Sequence, residues 1–159
     1  MPLSQAVSLR AECAGDEAFL LSLYESAYGG GLAMLPLSDE QKRMMVEMQF
    51  RAQNGHYRRQ FPDASFDIVL WEGEPVGRLC VWRGEGEVRI VDVALTAAMR
   101  GRGIGTELLA PILQEAADTG RAVRLHVGMG NRARSWYERL GFEVEGEEVG
   151  AWQMVRRPA

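Results

Sequence analysis

The sequence predicts one α/β domain over residues 1–159, a mixed, mostly antiparallel sheet of about seven strands flanked by about four helices. Three observations lead there. Short runs alternate apolar and polar residues, the hydrophobic period lengthens to 3.6 residues after position 104, and glycine-bearing turns separate the runs. At 47% hydrophobic and 25% charged residues the chain has an ordinary globular composition. It shows no repeat, linker or low-complexity stretch.

Residues 7–10 alternate as a strand, and Asp16 is placed to accept the free amides of a helix start. Phe19, Leu20, Leu23, Tyr24 and Ala27 then recur at helical spacing, and Gly29, Gly30 and Gly31 end that helix in a flexible loop over 29–37. Ser38 or Asp39 caps a second helix. It carries two stripes, one of Met44, Met45, Met48 and Ala52 and one of Val46, Phe50, Gln53 and Tyr57, so two buried faces are expected. The first stripe suits core or a homodimer contact. The second suits core or the wall of a substrate pocket, with Gln53 and Tyr57 as substrate-binding candidates and His56 beside them.

Residues 66–71, 75–83 and 88–95 read as an antiparallel meander, with a tight turn at 72–74. Ile104, Leu108, Leu109, Ile112, Leu113 and Ala116 form a helix that Pro111 should kink and that ends near Gly120. A strand at 123–127, a short helix at 133–140 and strands at 142–149 and 151–156 complete the order.

Composition narrows the function. A net charge of −4 and a pI near 5.3 argue against a nucleic-acid partner. No apolar run approaches the roughly 20 residues of a membrane span, and residues 1–10 lack the pattern of a secretory signal, so a cytoplasmic location is expected. Cys13 and Cys80 are far apart and near no histidine cluster; both are expected to be buried, reduced thiols, with no disulfide and no metal.

The chemistry is concentrated between Val93 and Thr106, where a strand meets a loop with alternate glycines and then a helix start. Glycines let backbone approach a ligand, and the open amides of a first helical turn favour a phosphate. Arg100 and Arg102 add positive charge. A plain tight turn is the other reading. The loop lacks the Gly-Lys-Ser/Thr of a P-loop, and Thr106 stands where a Rossmann fingerprint needs glycine.

Arg100, Gly103 and Gly105 resemble the Arg/Gln-x-x-Gly-x-Gly/Ala signature of the GNAT superfamily of acetyl-CoA-dependent N-acetyltransferases. Asn131 and residues 133–142, ending in the Tyr-Glu-x-x-Gly-Phe pattern from Tyr137 to Phe142, resemble that family's downstream motif. The resemblance implies the family fold, with a splayed cleft between the strands at 88–95 and 123–127. It implies acetyl-CoA as cosubstrate. The amides of Gly101, Arg102, Gly103, Ile104 and Gly105 would hold the pyrophosphate, and the backbone of Val93, Ala94 and Leu95 would pair with the pantetheine arm. Arg100, Thr106, Asn131 and Ser135 would complete that site, and Tyr137 would protonate the departing thiolate.

The implied acceptor is a primary amine on a small molecule or peptide, attacking directly in a ternary complex. The loops at 29–37 and 54–65 should select it. An ammonium must lose a proton before it attacks, so a base is required. His126 stands where some relatives carry a catalytic glutamate, and Asp92 interrupts an apolar strand. Each also fits a hydrogen-bonded structural role; His126 is the expected base, with Asp92 orienting water or the amine. A non-catalytic acyl-CoA sensor is the rival reading.

Overall fold

A computed structural model describes residues 6–158; residues 1–5, part of the stretch scanned for a signal, lie outside the described residues. Strands β1 (Val7–Ala11), β2 (Ser65–Trp71), β3 (Glu74–Arg83), β4 (Glu87–Leu95), β5 (Ala122–Gly128), β6 (Glu143–Glu148) and β7 (Ala151–Arg156) form one sheet in the order β1-β2-β3-β4-β5-β7-β6. Neighbours are antiparallel except β4 and β5. That exception follows from the connection. A helix joins β4 to β5, and such a crossover returns the chain in the same direction.

The helices are α1 (Glu17–Tyr28), α2 (Asp39–Gln60), α3 (Ile104–Asp118) and α4 (Ala133–Arg139). Adjacent strand residues point to opposite faces, so Ile68 packs with Leu20 and Phe50 of α1 and α2, while Val69 joins the main core beneath α3. Leu108, Leu109, Ile112 and Ala116 supply the helical side of that core, opposite Val88, Val123, Leu125 and Met154. The β2–β3 turn has positive φ at both Glu72 (50°) and Gly73 (84°), the geometry of a tight hairpin whose twist matches its strands.

Several expectations change. Asp16 does not cap α1; it closes a 3-10 turn at Ala14–Asp16, where its carboxylate accepts from the Cys13 amide at 2.9 Å and pairs with Arg10 at 2.6 Å. Residues expected to form a loop instead include a 3-10 helix at Gly29–Met34, because short 3-10 turns need only i to i+3 bonds. Ser38 caps α2 as expected: its hydroxyl accepts from the Gln41 amide at 3.1 Å, and the Gln41 side chain accepts in return from Ser38. The helix continues to Gln60, so only the end of the 54–65 segment is loop.

One face of α2 is buried, through Val46 and Phe50, whereas Met44 and Met48 are 62% and 67% exposed. The expectation of two covered faces therefore fails within this chain. Cys80 is buried but Cys13 is exposed. Helix α3 runs unbroken through Pro111.

Candidate active site

Strands β4 and β5 pair only where Glu87, Val88 and Arg89 lie beside Ala122, Val123 and Arg124. Beyond Arg89 they part. On the other side of β4 the ladder to β3 jumps register: Ile90 opposes Val81, Asp92 opposes Cys80, and Val91 is the extra residue of a β-bulge. Val93, Ala94 and Leu95 keep their partners in β3 while their opposite edge has no strand, which is the splay expected of the resemblance. Gly77 makes the β3 side possible, since a Cβ there would collide with the Ala94 carbonyl oxygen.

At the end of β4 the chain enters the glycine loop. Gly101 and Gly103 have φ of 74° and 80°, a region L side chains avoid, and an added Cβ at either would meet nothing within 4 Å. Gly103 is the N-cap of α3, and no side chain caps that helix, so first-turn amides that have no intrahelical acceptor also receive none from a cap. The open cradle, the free amides and the exposed Arg102 fit a pyrophosphate.

The neighbouring candidates play other parts. Arg100 ties the loop down: Nε donates to the Leu95 carbonyl at 3.0 Å and Nη2 to Ser26 at 3.3 Å. Thr106 accepts at 2.8 Å from the Trp136 indole, which packs over Gly105 and joins α4 to the start of α3. The Asn131 side chain accepts from the Ala133 amide at 2.9 Å, and Ser135 donates to the Arg132 carbonyl at 3.0 Å; both satisfy their own turn.

Asp92 sits at the bulge with its side chain 9% exposed. Burial pushes its carboxyl up to about 6, against the pull of Arg78, whose Nη1 lies 3.8 Å away, and of the Val93 amide. Arg78 is itself buried and held from the other side. Its Nε donates to Glu12 at 2.8 Å and its Nη2 to Asn54 at 2.5 Å, which links β3 to α2 and to the residue after β1. Glu12 also meets Arg58 at 3.1 Å.

Three tyrosines from three elements surround Asp92 electrostatically. Tyr137 of α4 is buried against Trp136 and Phe142, and burial followed by the charge of Asp92 pushes its phenol up. The phenols of Tyr57 and Tyr28 are raised by burial and then by Asp92 as well. Gln53 acts on the Tyr28 phenol in the opposite direction, lowering it. The charge of Asp92 thus acts on Tyr137, Tyr57 and Tyr28 together.

His126 lies on β5, beyond its pairing with β4. It is 44% exposed, stands 3.8 Å from Glu148, and burial and Arg89 push its imidazole below the ordinary value. It shares a cavity of about 370 Å³ with His56, Tyr57, Arg89 and Val91. Among the described residues no group of three or more His, Cys, Asp or Glu gathers as a metal site. No helix there is long and apolar enough to cross a membrane.

Sequence reasoning missed Arg78, Glu12 and Tyr28. A guanidinium in the otherwise apolar run from Val76 to Val81 was the available signal, since a cation at a central strand position demands a partner. Tyr28 gave none beyond its place before the three glycines.

The fold is shared with a PaiA N-acetyltransferase from Thermoplasma acidophilum in complex with coenzyme A (TM-score 0.70, 16% identity, 96% of this chain and 99% of that one). It is shared too with an acetyltransferase from Thermus thermophilus (TM-score 0.68, 17% identity, 98% and 99%). In sequence the chain is similar to an uncharacterized N-acetyltransferase of Methanocaldococcus jannaschii, 41% identical over 102 residues. That match covers 58% of this chain and 45% of the relative, less than half of the relative's length. The model of the acetyltransferase (GNAT) family matches residues 32–142, a span that holds Asp92, the glycine loop and Tyr137. By that match, the chain belongs to the GNAT acetyltransferase family.

Proposed function

We propose that this chain is a single catalytic domain that transfers an acetyl group from acetyl-CoA to a primary amine, by direct attack within a ternary complex. One observation carries the reading: the buried Asp92 carboxylate lies on β4 where β4 and β5 part, and its charge acts on the buried phenol of Tyr137. The coenzyme A bound to the Thermoplasma PaiA relative supports the choice of cosubstrate.

In this reading the first-turn amides of α3 and the loop at Gly101 and Gly103 bind the pyrophosphate, and the open edge of Val93 to Leu95 pairs with the pantetheine amides. Acetyl-CoA supplies an acyl carbon activated by its thioester. Asp92, ionised above pH 6, takes a proton from the acceptor ammonium. The freed nitrogen lone pair forms a bond to the acyl carbon, the carbon–sulfur bond breaks with its electron pair leaving on sulfur, the thiolate takes a proton from Tyr137, and the second proton that nitrogen sheds on becoming an amide returns to the Tyr137 oxygen. That phenol stays protonated throughout the neutral range because its site opposes ionisation. Asp92 replaces His126 as the proposed base, because Asp92 is coupled to Tyr137 whereas His126 stands at the rim beside Glu148.

The test is kcat/KM against pH for wild type, D92N and H126Q with one acceptor. An acidic limb near pH 6 is expected in wild type and H126Q, with D92N lacking it. A limb lost in H126Q and kept in D92N would return the base to His126. Tight CoA binding without turnover across amines and peptides would favour a sensor instead.

A further inference from the structure

We propose that the acceptor amine carries a carboxylate several bonds from its amino group, and that Arg89, with His126 beside it, holds that carboxylate. This rests on the acyl-transfer reading and names the substrate class for the same cleft.

The argument begins with an unbalanced cation. The Arg89 side chain is 20% exposed, yet its Nε is buried and donates to no partner. The one carboxylate within 4 Å of it among the described residues, Glu87, stands 3.8 Å from Nη2, beyond a useful hydrogen bond. Glu87 is better engaged by Arg124, at 3.0 Å. Other semi-buried arginines are satisfied: Arg78 by Glu12 and Asn54, Arg124 by Glu87 and Glu145, and Arg121 by Glu115. Arg89 has instead the face of Phe61, 5.8 Å away, which orients a guanidinium without occupying its edge donors. A desolvated guanidinium with unused donors is costly, and a planar carboxylate that accepts two parallel bonds offsets that cost.

The carboxylates around Arg89 have partners of their own. At His126 the effect of Arg89, which lowers the imidazole pKa, ranks above that of Glu148, which raises it; Glu87 and Glu145, which line the same side as Arg89 and His126, are each engaged by Arg124 at 3.0 and 3.1 Å. Glu148 is occupied by the Gln153 amide at 2.8 Å. His126 can donate a ring N–H hydrogen bond to the same carboxylate.

Position makes the subsite part of the acceptor cleft. Tyr57 lines the Arg89 cavity and is coupled to Asp92, so one tyrosine walls both places. Arg89 and Asp92 are three positions apart on β4, so their Cα atoms are at most about 10 Å apart by strand rise and less across the bulge. An ω-amino carboxylate with roughly six bonds between its groups, with a hydrogen bond at each end, covers a separation of that order.

The experiment compares 6-aminohexanoate with hexylamine as acceptors under saturating acetyl-CoA, in wild type, R89M and R89K. In wild type the carboxylated amine is expected to have at least about a tenfold higher kcat/KM, carried by KM. The ratio should fall toward one in R89M and be partly kept in R89K. Equal kcat/KM for the two amines in wild type overturns the proposal without recourse to any variant, as does an unchanged ratio in R89M. Should neither amine be acetylated, calorimetric titration of 6-aminohexanoate into CoA-saturated protein decides. Binding lost in R89M supports the subsite; no binding, or equal binding, overturns it. CoA binding with no turnover of any amine counts separately against the acyl-transfer reading.

Discussion

Replacing Asp92 by asparagine should make the protein more stable and less active. The carboxyl titrates near 6 rather than at 3.8 because ionising it in the folded state strips it of water. The gap, at 1.36 kcal/mol per pH unit, is about 3 kcal/mol of folding free energy lost as pH rises through that window. The sign follows from proton binding. Between pH 3.8 and 6 the folded state holds the proton and the unfolded chain has released it, so stability falls as pH rises and the loss is complete above about pH 6.

Asparagine is neutral at every pH and keeps an oxygen for the Val93 amide, while Arg78 retains Glu12 and Asn54. At pH 8 D92N should therefore melt about 6–12 °C above wild type, taking 2–4 °C per kcal/mol for a domain of this size. At pH 4 the two curves should nearly coincide. In the acetyl-transfer assay the same variant should lose roughly 10²–10⁴ in turnover. Paired thermal melts at the two pH values check the stability half. A D92N protein less stable than wild type at pH 8, or an offset equal at both pH values, would refute the reasoning, because either result means that Asp92 is not a desolvated charge.

Other outcomes follow from the same geometry. Y137F should lower turnover by about 10²–10⁴ with little change in acetyl-CoA affinity, since the ring still packs on Trp136 and Phe142; calorimetry and steady-state kinetics separate the two effects. Acetyl-CoA at about 100 times its Kd should stabilise the wild type by roughly 2.7 kcal/mol in a thermal melt, and G103D should abolish that shift by setting a carboxylate in the anion cradle and a side chain at a φ of 80°. Arg10 and the Cys13 amide hold the Asp16 carboxyl below its ordinary value, so its contribution to stability is present above about pH 4 and is lost as pH falls further; D16N should flatten the acid limb of a Tm-against-pH curve.

The strands and helices were legible because each carries its own period. Val123, Leu125 and Val127 alternate as β5 requires, and the apolar spacing from Ile104 to Ala116 defines α3. The glycine loop was legible for a different reason, since Gly101 and Gly103 adopt a backbone region few other residues reach. The electrostatics were not. Whether Asp92 or His126 is the better base depends on what surrounds each, and Tyr28, Tyr57, Arg78 and Tyr137 come to Asp92 from four elements. No local pattern marks such a meeting. The Val91 bulge left no trace either, because a valine suits a regular strand as well as a bulged one. The periodic methionines of α2 do form a stripe, yet period alone does not say whether a partner covers it.

The parting of β4 from β5 also sets how these strands trade hydrogen for deuterium. Strand β5 is zipped to β7 along its length and backed by the main core, so those of its amides that point to β7 exchange only through large openings. Amides in the unzipped stretch of β4 that point toward the gap have no strand acceptor in the unliganded chain and should exchange through small local fluctuations, although they lie mid-sheet. A fast-exchanging segment bracketed by slow ones is thus the signature of this fold at rest. Its slowing on addition of a CoA thioester would report the seam closing on a guest chain, residue by residue, without any need for turnover.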